Sequence, residues 1–228
     1  AAKERKRRIM ERKTDFFNEV HLMGQVKHVN RNLDKGVASI ELATYGQHVN
    51  FPTVLCLGNM FSKADEVKEG DWVKVVARVE TRRKVVGNGE ETKVDYRQGL
   101  ILISLDKVKS LGEKFFGNDA GTDLYESENL VALTGTINSF KVVGDKNNRA
   151  QATLYCMNGR FRNLIMLTFF SNDAEALVKN FEKGDWVNVI GRVQTIPSTK
   201  SNTGRKKEVL IGRRISKIET ANPELKEA

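Results

Sequence analysis

The chain is poor in the residues that most often carry chemistry. Among 228 residues there are two cysteines and three histidines. Cys56 and Cys156 lie far apart, each inside an apolar run ("VLCL", "TLYCM"), with no C-x-x-C spacing and little histidine nearby. That arrangement excludes a disulfide framework and a cysteine-ligated metal site, and predicts two buried, reduced thiols. The histidines, His21, His28 and His48, all fall in the first quarter of the chain. There is no H-E-x-x-H, no G-x-S-x-G, no Walker-type phosphate loop and no carboxylate set at metal-ligand spacing, so neither a catalytic residue nor a metal or cofactor is expected. No apolar run approaches the ~18 residues that span a bilayer, and no apolar segment follows the basic start "AAKERKRRIMERK" to make a signal peptide. The expectation is a cytoplasmic, nucleoid-associated protein with no membrane partner.

What is abundant is positive charge and alternation. Thirty-eight Lys and Arg against 29 Asp and Glu leave a formal charge of +9, which favours an anionic partner. At ~100 to 150 residues per domain, the length allows two small domains, and 39% hydrophobic residues suffice for their cores.

A repeat decides the organisation. "EGDWVKVVARVET" (69–81) returns as "KGDWVNVIGRVQT" (183–195). "VHLMGQVKHVNRN" from Val20 and "LVALTGTINSFKVV" from Leu130 open the copies, each with a central strand glycine (Gly24, Gly135) expected to mark a bend. "GVASIELATYG" and "RAQATLYCMNG" follow as second strands, "FPTVLCL" and "FRNLIMLTFF" as third strands. Short helical stretches come next, "FSKADEVKEG" and "SNDAEALVKNFEKG", each expected to start on a Ser or Asn cap and to close on Gly. In the fourth strand, Val73, Val75, Ala77 and Val79 share the inner face, echoed by Val187, Val189, Gly191 and Val193. A charged hairpin and a fifth strand complete each copy. The fold class is therefore all-β with short helices: two tandem five-stranded OB-fold Greek-key barrels. The expected divisions are a basic N-terminal helix or arm (1–19), the first barrel (20–110), a linker (111–129) that is protease-sensitive near Gly117 to Asp123, the second barrel (130–219) and a tail (220–228).

Such barrels bind single strands by stacking bases on aromatic rings and holding phosphates with cations. Phe51 and Phe161 stand just before the third-strand apolar runs and are the foremost stacking candidates, with Tyr45 and Tyr155 behind them. Arg160 and Arg162 flank Phe161. Cations gather on the two hairpins: Arg82, Arg83, Lys84 and Arg97 on the first, Lys200, Arg205, Lys206 and Lys207 on the second. Trp72 and Trp186, on the outer face at the start of strand four, either cover the helix end or offer a flat face to a base, and their identical placement favours packing. Asp71 and Asp185 repeat where a turn or cap is needed.

The stretches "ASIELATYG", "FPTVLCLGN" and "EGDWVKVVARVETR" resemble the second to fourth strands of bacterial-type single-stranded DNA-binding proteins, and copy two matches mainly at "FRNLIML" and "KGDWVNVIGRVQT". The resemblance implies a protein with two OB-folds per chain that coats single-stranded DNA in replication, recombination or repair, with Phe51 and Phe161 as base-stacking aromatics and the hairpins as wrapping elements. It implies homo-oligomers, since many members carry one barrel per chain and assemble four, and contacts with replication or recombination proteins. The acidic tail through which members recruit partners is absent from "NPELKEA". Three alternatives remain: an RNA-binding OB protein, an interaction scaffold of a replication complex docked through the N-terminal basic helix, and a nuclease built on the barrel.

Overall fold

The computed structural model describes residues 17–45, 48–86, 93–108, 128–143, 148–158, 161–197 and 206–218, with backbone alone at 83–86, 93–96, 157–158 and 161–162. Of the N-terminal helix, linker and tail expected from sequence, residues 1–16, 111–127 and 220–228 lie outside the described residues, while Asn18 and Glu19 already belong to the first strand and Asn129 to the sixth, so neither the helix nor the linker extends as far as expected.

Among the described residues, ten strands and two short helices follow in order: β1 (Asn18–Asn32), β2 (Val37–Ala43), β3 (Thr53–Leu57), a 3₁₀ helix (Gly58–Glu66), β4 (Trp72–Val86), β5 (Lys93–Lys107), β6 (Asn129–Val142), β7 (Arg149–Asn158), β8 (Phe161–Phe170), α1 (Ser171–Asn180), β9 (Trp186–Pro197) and β10 (Lys206–Lys217). They form two compact units. One holds Val20–Leu130 together with Val193–Val209; the other holds Val131–Arg192, the chain from Leu210, and the residues up to Glu19.

In the first unit β1 pairs antiparallel with β2 and β4, β2 with β3, and β4 with β5, while β3 and β5 run parallel. The ring β1-β2-β3-β5-β4 thus closes on itself, which removes sheet edges. The second unit repeats the ring as β6-β7-β8-β10-β9, again with one parallel pair, β8 with β10. Both are OB barrels.

Period-two alternation fills the interiors as expected. Val73, Val75, Ala77 and Val79 are fully buried, and so are Val187, Val189 and Val193. Removing such a valine from water contributes about 1.5–3 kcal/mol. The strand glycines serve close approach: a Cβ on Gly24 would collide with the Ala43 carbonyl, and one on Gly135 with the Tyr155 carbonyl. The register slips nearby, between Val26 and His28 on β1 and between Ile137 and Ser139 on β6. These bulges supply the bend a small barrel needs.

The helices depart from expectation. Both leave the preceding strand directly, with Leu57 and Phe170 at the cap position and no side-chain cap; the second helix does begin at Ser171, but neither it nor Ser62 serves as the expected cap. The closing glycines act later, in the turn that launches strand four. There Asp71 N–H donates to Lys68 O, Gly70 sits at φ +90°, and the Lys68 N–H donates back to the Asp71 carboxylate at 3.0 Å. Gly184 at φ +94°, with the Glu182 N–H donating to Asp185 Oδ2 at 2.8 Å, reproduces the turn. Each aspartate also meets a lysine from the barrel's last strand, Lys107 at 2.8 Å and Lys217 at 2.9 Å. A turn with φ > 0 at its third residue requires glycine, and the carboxylate satisfies an amide the turn leaves open. The Gly-Asp repeat is a folding device.

Candidate nucleic-acid interface

Phe51 lies in the connection that enters β3, and its position is set by side-chain to main-chain hydrogen bonds within the first unit. The Phe51 N–H donates to Thr195 Oγ1 at 3.0 Å, and the Thr195 N–H donates to Asn50 Oδ1 at 3.1 Å. Two residues on, the Thr53 N–H donates to a Glu208 carboxylate oxygen at 2.6 Å. Asn129 grips Val193 through both its amide atoms, at 2.9 and 2.8 Å. These contacts hold an arm made of the end of β9 (193–197) and the start of β10 (206–209) against the entry to β3.

That arm delivers Lys206, whose ammonium stands 3.4 Å from the centroid of the half-buried Phe51 ring. An ammonium over an aromatic face is attracted by the ring's negative quadrupole. Two candidates assigned by sequence to different repeats therefore meet. Lys207, next along β10, is exposed. Burial pushes the Glu208 carboxyl up to about 7; the nearby Glu41 carboxylate adds to the rise, and the hydrogen bonds from Thr53 oppose it.

A second aromatic group lies on the same barrel. The Tyr45 and Trp72 rings are 5.7 Å apart, tilted by 30°, and both residues are half-buried. Gln25 pairs with Trp72 across β1 and β4, and the exposed Lys27 donates to Gln25 Oε1 at 2.6 Å. Trp72 thus meets Tyr45, a contact that neither sequence reading of the tryptophan included. Arg82 and Arg97 stand directly opposite each other on β4 and β5, both exposed. The register puts two positive charges side by side on one ribbon. The backbone places Arg83 and Lys84 opposite Tyr96 and Asp95 in the same ribbon; their side chains lie outside the described residues.

On the second barrel, Tyr155 is 40% exposed and pairs with Thr136, which pairs in turn with Trp186, so three neighbouring strands line up these side chains on one face. Phe161 and Arg162 begin β8, but their side chains, and all of Arg160, Lys200 and Arg205, lie outside the described residues. Sequence reasoning missed Phe170, 44% exposed, with the Arg149 guanidinium 5.8 Å from its ring centroid. The signal was present: Phe169 is fully buried, so period two turns Phe170 outward. It also missed Arg192. Its first-copy counterpart Arg78 pairs with Glu80 at 2.6 Å, whereas the second copy carries Gln194 at the glutamate position. Burial, with Arg213 nearby, pushes the Arg192 guanidinium down from its usual range.

Both cysteines are buried free thiols. Burial pushes Cys56 up to about 11 and Cys156 up to about 12, which suits packing and not nucleophilic chemistry. Among the described residues no helix is long and apolar enough to cross a membrane.

No protein-family model and no curated protein matches the sequence. Solved structures do. The wild-type single-stranded DNA binding protein from Thermus aquaticus is similar with a TM-score of 0.62 at 17% identity, covering 89% of this chain and 93% of that one. A deletion mutant of the same Thermus protein is similar with a TM-score of 0.62 at 18% identity, covering 92% of this chain and 98% of that one. At such identities the likeness is one of fold, and because it spans nearly the whole of both chains it takes in both OB barrels.

Proposed function

We propose that the chain binds single-stranded DNA without sequence preference, by stacking bases on aromatic side chains and neutralising phosphates with lysine and arginine. The observation that carries this reading is the meeting of Phe51 and Lys206 at the entry to β3, an aromatic face and a cation in one place on an OB barrel. The formal charge of +9 and the opposed Arg82 and Arg97 supply the sequence-independent attraction. The Thermus protein that shares this two-barrel fold is, by its name, a single-stranded DNA binding protein. The role is binding and not catalysis, on strands exposed in replication, recombination or repair in the nucleoid, with further copies of the chain and proteins of those processes as partners.

Titration with oligo-dT, oligo-rU and duplex DNA at two salt concentrations tests it. Tight binding to oligo-dT, weak binding to duplex, and a slope of log K against log salt of about 0.7 per neutralised phosphate are expected. Equal affinity for duplex would remove the stacking mechanism. Preference for oligo-rU would move the assignment to RNA.

A further inference from the structure

The Lys206 ammonium, 3.4 Å from the Phe51 centroid, occupies a face of that ring. Any group that is to lie on this face must first displace the arm that carries the lysine. β9 and β10 are neighbours in the sheet, so 193–197 and 206–209 form one piece. Four bonds fasten that piece to the first barrel. The Val193 N–H donates to Asn129 Oδ1 and the Thr195 N–H to Asn50 Oδ1, while Thr195 Oγ1 accepts the Phe51 N–H and a Glu208 carboxylate oxygen accepts the Thr53 N–H. Three of these join neutral groups, which do not titrate near neutral pH. The fourth ends on a carboxyl, which does.

Glu208 faces the barrel. There β3 offers it the uncharged Thr53 amide, and β2 offers the Glu41 carboxylate, which opposes a second negative charge. Along β10, Lys206 is turned to the Phe51 ring and Lys207 is exposed. Burial, with Glu41 adding to it, holds the carboxyl at about 7 against an ordinary 4.5. A protonated carboxyl keeps an oxygen for the Thr53 N–H without burying a charge, whereas an ionised one gains hydration once the arm has left. We propose that the arm is a proton-controlled latch over Phe51: with Glu208 protonated it stays fastened and covers the ring, and with Glu208 ionised it lets go more often and opens that face. The fastened state binds the proton more tightly, so its grip is full below about pH 4.5, weakens as pH rises and levels off above about pH 7. The latch is a property of the arm and stands apart from what the first barrel binds.

Amide hydrogen exchange on the full chain from about pH 5 to about pH 8, with each rate divided by its unstructured value, tests this. Protection of the Val193, Thr195, Phe51 and Thr53 amides should fall together, by on the order of fiftyfold, while Val75, fully buried in the core of the same barrel, keeps its protection. Glu208→Gln should abolish the fall and hold the acid-side protection throughout. Glu41→Gln, which removes the opposing charge and leaves the four bonds in place, should shrink the fall. Protection in the wild type that does not change with pH would overturn the latch. So would a loss confined to Thr53, which is one bond loosening under a seated arm, or an equal loss at Val75, which is the whole barrel loosening.

Discussion

Glu208→Gln isolates the electrostatic strain in the arm. Burial raises the Glu208 carboxyl from 4.5 to about 7, with Glu41 adding to the rise and the Thr53 hydrogen bonds opposing it. At about 1.4 kcal/mol per pH unit, ionising Glu208 in the folded chain costs about 3 kcal/mol more than ionising it in the unfolded chain. The folded state therefore binds the proton more tightly, and the stability of the first unit should fall as pH rises from about 4.5 to about 7 and level off above. Glutamine keeps an oxygen for the Thr53 N–H, now 2.6 Å from a carboxylate oxygen, but has no charge to desolvate. The variant should lose this part of the pH slope and be more stable than the wild type at pH 8 by up to about 3 kcal/mol. Native-state hydrogen exchange of the amides from Thr53 to Leu57, followed from pH 5 to 8, measures it locally. An unchanged pH slope, or faster exchange of the Thr53 amide in the variant at pH 8, would refute the reasoning.

Other outcomes follow from the fold. Gly70→Ala and Gly184→Ala should each cost about 1–2 kcal/mol in urea unfolding, because φ of +90° and +94° disfavours a Cβ although nothing lies within 4 Å of either site. Gly24→Ala should cost more, since its Cβ meets the backbone of β2. A cycle of Trp72→Ala and Tyr45→Ala should give a coupling of about 0.5–1.5 kcal/mol, and zero coupling would show that their contact contributes nothing beyond burial. Cys56 and Cys156 should stay unreactive toward an aromatic disulfide reagent at pH 8 until the chain unfolds; fast labelling of the native protein would contradict their burial.

How much of this was readable in the sequence depends on the range of the interaction. Alternation is local, so the inner faces of β4 and β9 could be assigned residue by residue, and so could the turn at Gly70 and Asp71. The helix starts could not, because the 3₁₀ segment begins at Gly58 with φ +57° directly off β3, where no side-chain cap marks it. The arm is the extreme case. Glu208 reads as one more charge in a basic hairpin, and its partner Thr53 lies 155 residues earlier. Nothing in either stretch announces the other. The same contrast bears on function in a duplicated chain. Features present in both copies, such as the Gly-Asp turn with its lysine and the strand glycine against a carbonyl, are accounted for by barrel closure. Features that differ between copies need another explanation. Glu80 pairs with Arg78 in the first barrel, and the second carries Gln194 at that position, with Arg213 near Arg192. Phe51 is held by residues of the arm and faced by Lys206. A search for the binding surface should therefore start from the positions where the two copies disagree.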